Sequence, residues 1–334
     1  MNRRGIIGAG NWIVDQIKQM DRWPGEGNLA DILSEEPPAG GGGPNNVLHD
    51  LAAMDPTLPL YAVGRIGDDP AGKFLLDEAH KDHIDCTNLT VSHTAPTSYT
   101  LVMAADGKRT FFHCRGANNE LSPEDFAELN PPAKIFYLGY LLLLGGLDAP
   151  DPEFGTRGGR VLRQMRERGY TTVLDLVSQA PEVFHQAVVA AMPGTDVLVI
   201  NEVEAGNAFG MSLRKADDSI DEAALRTVAP KFFELGLHQE LVIHFPEGAY
   251  ARLSDGTECR ISSYRPPKVV GSVGAGDAFC AGILYSLHEG VPLEESLHLA
   301  AANAIFNLMD ASATGGAVSI ATVREFMATH TPRA

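Results

Sequence analysis

The sequence predicts an α/β fold in a single domain: a mostly parallel sheet covered by helices on both faces, with a small β lid. Three observations predict it. From residue 133 onward, short apolar strand-like runs alternate with helical patterns, at 135–138, 161–168, 172–176 and 197–200. Such repeats build buried parallel sheets. Residues 97–102 and 110–113 nearly alternate around Asp106-Gly107, which is a hairpin signal. Val270 to Phe279 is a run of small residues feeding a helix, with Phe279, Ile283, Leu284 and Leu287 at helical spacing and Gly290 with Pro292 ending it.

Composition bounds the function. The 334 residues and 44% hydrophobic content suit one domain, 1–334, with a full core. A net charge of −17 argues against nucleic acid as a partner. No run of about 18 apolar residues offers a membrane span. Asp15 and Lys18 follow the first apolar run too soon for a signal peptide. Cys86, Cys114, Cys259 and Cys280 have no short spacing, which fits reduced thiols in a cytoplasmic protein. His80 and His83 come nearest to a metal spacing and read as a solvated helix face.

In chain order, residues 5–10 read as a first core strand that continues through Asn11 to Asp15. Gly8-Ala9-Gly10 is no dinucleotide fingerprint, because Ile13 stands where a third glycine belongs. Asp15 is either a surface acid or a reader of hydroxyls. Residues 23–38 look like a lid or exposed connection. Gly40 to Gly43, with Pro44, Asn45 and Asn46, open a helix through Leu51 and Met54. That loop is either a flexible lead-in or a close backbone approach to a ligand. The turn from Val63 to Gly72 leads into a helix with Phe74, Leu75, Leu76 and Ala79. Leu141 to Leu144 extends the strand at 135–138, and a Gly/Pro/Asp-rich loop runs to about Gly159. Asn201 and Glu204 follow the strand at 197–200, at the end where α/β sheets bind ligands. They are either helix caps or ligand contacts. Leu299 to Leu308 is a buried helix containing Asn303, which is either a core amide or a nucleotide contact.

The glycine stretch carries the chemistry. A helix N-terminus presents free amides and positive dipole, and Gly274 and Gly276 leave room for an anion. Asp277 in the first turn is either a cap or a base that takes a proton from an alcohol. No Lys follows the glycines, so this is no Walker A loop.

Ser272-Val273-Gly274-Ala275-Gly276-Asp277-Ala278-Phe279, followed by Gly282, resembles the C-terminal signature Asp-Thr-x-Gly-Ala-Gly-Asp-x-Phe-x-x-Gly of the ribokinase-like (PfkB) carbohydrate kinases. Gly41, Gly42, Pro44 and Asn46 match the family's Gly-Gly-x-Pro-x-Asn, and Asn201 with Glu204 its Asn-x-x-Glu. The resemblance runs from Gly8 to about Phe326. It implies a ribokinase-like fold, ATP with Mg²⁺, and phosphorylation of a hydroxyl, the primary alcohol, of a sugar. By the same resemblance Asp277 is the base, and Gly274, Ala275 and Gly276 form the anion hole. Asp15, Gly41, Gly42 and Asn46 hold the sugar. Asn201, Glu204, Gly248, His244 and Asn303 lie toward the nucleotide, with Glu204 reaching Mg²⁺ through water. The lid, from segments near 13–42 and 95–118, forms a homodimer clasp in relatives.

Four positions depart from the pattern. Gly271 replaces the Asp that helps hold a monovalent cation, which places K⁺ activation in doubt. His244 and Pro246 replace Thr and Gly near the nucleotide, while Gly248 is kept. His83 stands where the family has Gly. Two alternatives stay open: a nucleoside kinase of the same fold, with Trp12, Trp23 or Tyr99 as a stacking platform, and a non-catalytic sugar or nucleotide sensor.

Overall fold

The computed structural model describes residues 3–178 and 180–333. The chain opens with β1 (Ile6–Gly10), then β2 (Ile13–Met20), β3 (Ile32–Glu35), β4 (Ala39–Gly41) and helix α1 (Gly43–Met54). β5 (Leu60–Gly67), α2 (Pro70–Lys81), β6 (Asp85–Ser92), β7 (Ser98–Ala105) and β8 (Lys108–Cys114) follow. Next come β9 (Ile135–Leu141), α3 (Gly145–Asp148), the short β10 (Pro150–Asp151) and β11 (Gly155–Thr156), α4 (Arg157–Glu167) and β12 (Thr171–Leu176). The chain continues through α5 (Pro181–Ala191), β13 (Val197–Asn201), α6 (Glu202–Asn207) and α7 (Glu222–Glu234). It ends with β14 (Glu240–Phe245), β15 (Gly248–Leu253), β16 (Glu258–Ser262), α8 (Ala275–Glu289), α9 (Leu293–Leu308) and α10 (Ile320–Thr329).

Nine strands form the main sheet in the order β16-β15-β14-β13-β12-β9-β1-β5-β6. β1 pairs in parallel with β5 on one side and β9 on the other. From β1 the chain moves outward to β6, returns to β9, and then proceeds the other way to β14. Ligands in open α/β sheets bind where that direction reverses, beyond the strand ends. Alternate residues feed two cores. Val197 and Val199 pack with residues of α1, α8 and α9, such as Leu48, Ile283 and Leu299. Leu198 and Ile200 pack with Leu162, Val188 and Val228 of α4, α5 and α7. Each such fully buried side chain contributes about 1.5–3 kcal/mol.

The lid is a second sheet, β3-β2-β7-β8, with β4 also on β2. Asp106 (φ 51°) and Gly107 (φ 71°) are both left-handed, as a two-residue primed turn requires. That turn sets the pairing Ala105↔Lys108 and every pair behind it.

Three sequence expectations need correction. Residues 11–15 do not continue the first strand. At Gly10 (φ 128°) a Cβ would lie 1.7 Å from the Gly139 carbonyl oxygen, and Asn11 Oδ1 accepts from the Tyr140 amide at 2.5 Å. The chain leaves the main sheet there and restarts as β2 in the lid. Leu142 to Leu144 do not extend β9 either. Leu142 has φ 80°, and the amides of Leu142 and Leu144 both donate to the Asp148 carboxylate, at 2.7 and 2.8 Å. Finally, the stretch to Gly159 is not one loop, because it holds α3 and a tiny hairpin, and α4 already begins at Arg157. Thr156 caps α4 through its hydroxyl, which accepts from the Gly159 amide.

Candidate active site

The N-terminus of α8 lies at the reversal point. Gly274 (φ 80°) is its N-cap, and a Cβ there would strike the Ala313 carbonyl at 2.4 Å. Of the amides from Gly274 to Asp277, only that of Ala275 has a backbone acceptor among the described residues, the Ser272 carbonyl at 3.4 Å. The others are free to hold an anion. Asp277 follows in the first turn and is only 4% exposed. Asn46 Nδ2, from α1, donates to its Oδ2 at 2.8 Å. The Tyr140 hydroxyl, near the end of β9, donates to its Oδ1. Burial pushes the Asp277 carboxyl up to about 6, against those two hydrogen bonds, and the charge of Asp15 raises it further.

The lid supplies the opposite wall. Register places Asp15 of β2, Thr100 of β7 and His113 of β8 side by side. Thr100 Oγ1 and His113 Nδ1 are 3.1 Å apart, and Thr100 sits beside Asp15 across the β2–β7 pairing. Burial raises the Asp15 carboxyl to about 6. A Cβ at Gly41 would lie 2.6 Å from Asp15 Oδ2, so only glycine leaves space for that carboxylate. Gly42 caps α1, four residues before Asn46. Between floor and lid lies a cavity of about 660 Å³, lined among others by Asp15, Gly42, Asn46, Tyr140, Gly274 and Asp277.

A smaller cavity of about 210 Å³ opens on the other side of Gly276, toward Asp175, Asn201, Glu204 and His244. Asn201 and Glu204 do cap α6. Glu204's amide donates to Asn201 Oδ1 at 2.8 Å, and Asn201's amide donates to Glu204 Oε2 at 3.0 Å. Burial raises Glu204 to about 7. Asp175 is pushed well up by burial and then by the charges of Glu204 and Asp277. Two buried carboxylates that repel each other beside an anion-binding helix end suit a bridging cation. Among the described residues no group of three or more His, Cys, Asp or Glu could hold a metal alone. A hydrated ion on one or two carboxylates meets that limit. The His244 ring lies 5.0 Å from Phe279, and burial lowers it to about 4, so it is neutral.

The other expected residues lie elsewhere. Asn303 is buried between α8 and α9, where its Nδ2 donates to the Ala278 carbonyl at 2.8 Å. It lines neither cavity. Gly248 sits in β15, where a Cβ would strike the Ile261 carbonyl at 2.0 Å, and it too lines neither. Trp12 is fully buried with its indole donating to the Val63 carbonyl. Trp23 donates to the Ala105 carbonyl, and Tyr99 does not line the cavity, although its neighbour Thr100 does. None of the three is a stacking platform in the cavity. Sequence reasoning missed Tyr140, Asp175 and His113. Asp175, a lone acid at the end of an apolar strand, was the available signal for one, and the hairpin register for His113.

Residues 21–318 match the family described as pfkB family carbohydrate kinase. The chain belongs to that family, and it is a carbohydrate kinase that uses ATP to phosphorylate a sugar. Among curated relatives, the chain is 26% identical to the ribokinase of Arabidopsis thaliana over 304 residues, covering 90% of this chain and 74% of that protein. Among solved structures, it resembles Arabidopsis thaliana ribokinase complexed with ribose and ATP, with a TM-score of 0.78, 21% identity and coverage of 97% and 98% of the two chains. A nucleoside kinase of Methanocaldococcus jannaschii also has a TM-score of 0.78, at 18% identity over 98% and 99%. The ribokinase-like α/β fold expected from the sequence is the fold observed. Among the described residues no helix is long and apolar enough to cross a membrane.

Proposed function

We propose that the chain transfers the terminal phosphoryl group of ATP to the primary alcohol of a sugar held between the lid and α8. Asp277 carries this reading: a buried carboxylate, held by Asn46 and Tyr140, beside free helix amides and facing the lid's polar row. Asp15 accepts hydrogen bonds from two acceptor hydroxyls, and Asn46 and the Gly41-Gly42 backbone fix the sugar's position. Asp277 takes the proton from the reacting hydroxyl. The amides from Gly274 to Gly276 then stabilise charge on the transferring group, so positioning and electrostatics do most of the catalysis. Asp175 and Glu204 would hold Mg²⁺ through water, and the ion would neutralise phosphate charge. His244 and Asn201 border the nucleotide. The lid, by closing, keeps water from Asp277.

An ADP-release assay with ATP and Mg²⁺ tests this against sugars, sugar acids and nucleosides, with Asp277→Asn alongside. Acceptor-dependent ADP release that the variant lacks is the expected result. Near-normal turnover by a folded Asp277→Asn protein would remove Asp277 from the mechanism. Acceptor binding without any turnover would favour a sensor.

A further inference from the structure

The lid's inner face changes character in one step of the pleat. Its first row, Asp15–Thr100–His113, is polar, and the Nε2 of His113 is buried without a partner among the described residues. The next row on the same face is Ile17–Val102–Phe111, set by the pairs Ile17↔Val102 and Val102↔Phe111. All three of these side chains line the cavity, with Pro37 and Pro38 on the same mouth. The row has no side-chain donor or acceptor. Phe111 is 60% exposed there.

We infer, on the basis of the acceptor-site assignment above, that the substrate is a sugar bearing an apolar, ring-sized substituent, seated on Ile17, Val102 and Phe111. A free sugar has hydroxyls around its whole ring. A hydroxyl turned onto these three side chains gains no partner from them, which is unfavourable; Glu36 and Arg109, which also line the cavity, stand outside the row. A flat or aliphatic substituent instead covers exposed apolar surface on both itself and Phe111. The polar row grips the sugar's hydroxyls, Asp277 faces its reacting end, and the substituent points out along the lid. Substituents of two kinds share this chemistry, a nucleobase and a plain aryl or alkyl group.

Binding decides the point without requiring turnover. Affinities of the full chain are measured by calorimetry for matched sets: a free sugar, its phenyl glycoside and its nucleoside, across ribose and hexose parents. The substituted member of at least one set should bind about tenfold or more tighter than its free parent. Phe111→Ala should shrink that ratio severalfold, while Phe111→Leu keeps most of it. Equal or tighter binding of the free sugars, or a ratio unmoved by Phe111→Ala, overturns the inference. The nucleoside and phenyl arms tell the two kinds of substituent apart. Kinase assays on the same ligands report separately on the proposed function. Tight binding of the substituted sugar with no phosphorylation would sink that function and leave this specificity standing.

Discussion

The floor of the site and its lid are built on opposite plans. The floor gathers three element ends, the start of α1, the end of β9 and the start of α8, around one carboxylate. Its groups are buried and already hydrogen-bonded before any ligand arrives. The lid is a thin sheet whose inner face offers one polar row and one apolar row. Its edge strand β3 is exposed along its whole length. On the proposed mechanism the floor serves chemistry, which tolerates little displacement. The lid is set up for selection, where separate rows can be changed one at a time. The difference teaches that substitutions on the two walls should split kinetically, floor changes falling on kcat and lid changes on KM.

The largest expected effect is on the floor. Asp277→Asn keeps the Asn46 contact geometry available but removes the base, and kcat should fall by at least ~10²-fold with nucleotide affinity retained. Titrating a nucleotide into the variant checks the second half. On the lid, Asp15→Asn exchanges a two-oxygen acceptor for an amide. KM for the sugar should rise about 10- to 100-fold, the worth of charged hydrogen bonds, with a smaller change in kcat. A drop confined to kcat would erase the distinction between the two walls.

A subtler change sharpens it. Asp277 must be ionised to accept a proton, and burial holds it at about 6. Turnover should therefore decline as pH falls through that value. The Tyr140 hydroxyl favours the ionised form. Tyr140→Phe should move the acid limb of the kcat/KM profile to higher pH, and Asp15→Asn, which removes a nearby charge, should move it lower. Matching shifts in one direction would contradict these opposite electrostatic roles.

The smallest effect lies outside both walls. Glu240, 8% exposed at the start of β14, is raised from 4.5 to about 7 by burial alone. Below pH 4.5 both folded and unfolded chains hold the proton, and no stability is lost. As pH rises from 4.5 to 7 the unfolded chain gives up a proton that the folded chain still holds, so stability declines, and the loss is complete above 7. Glu240→Gln should therefore stabilise the protein at pH 8 by an amount of order 1–3 kcal/mol and by little at pH 4.5, as read by denaturant melts at both. Catalysis should not change. A raised carboxyl pKa thus does not by itself mark a functional acid.

Much of the floor was legible in the sequence, because its parts are local. A glycine run before a helical pattern implies free amides, and Asp277 sits in the first turn whatever the tertiary packing. The parallel sheet was legible from alternating segments. Tyr140 was not, since it closes β9 just before a run of leucines that looks like more strand but bends at Leu142. Only the Asp148 carboxylate, four to six residues further on, shows why that run turns. Asn11 to Asp15 failed for a similar reason. An apolar run does not reveal which of two sheets it joins, and here the crowding at Gly10 decides. The lid's rows lie between these cases. Asp106-Gly107 implies a two-residue turn, and counting back from it pairs Thr100 with His113 and Val102 with Phe111. The pairing of β2 with β7 joins distant segments, and nothing local announces it. Asn201 and Glu204 are the helix caps that one reading expected, and they also border a cavity.

The Asn46–Asp277 hydrogen bond spans 231 positions of the chain. Both lid hairpins and the sugar-facing end of α1 are synthesised long before α8 exists. On the proposed mechanism, a growing or truncated chain that folded its lid would still lack the proposed base and anion hole. Activity becomes a report on completion of the polypeptide. The two parts also define a natural cut for a split enzyme, in which neither fragment transfers phosphate until the second brings Asp277 to the first.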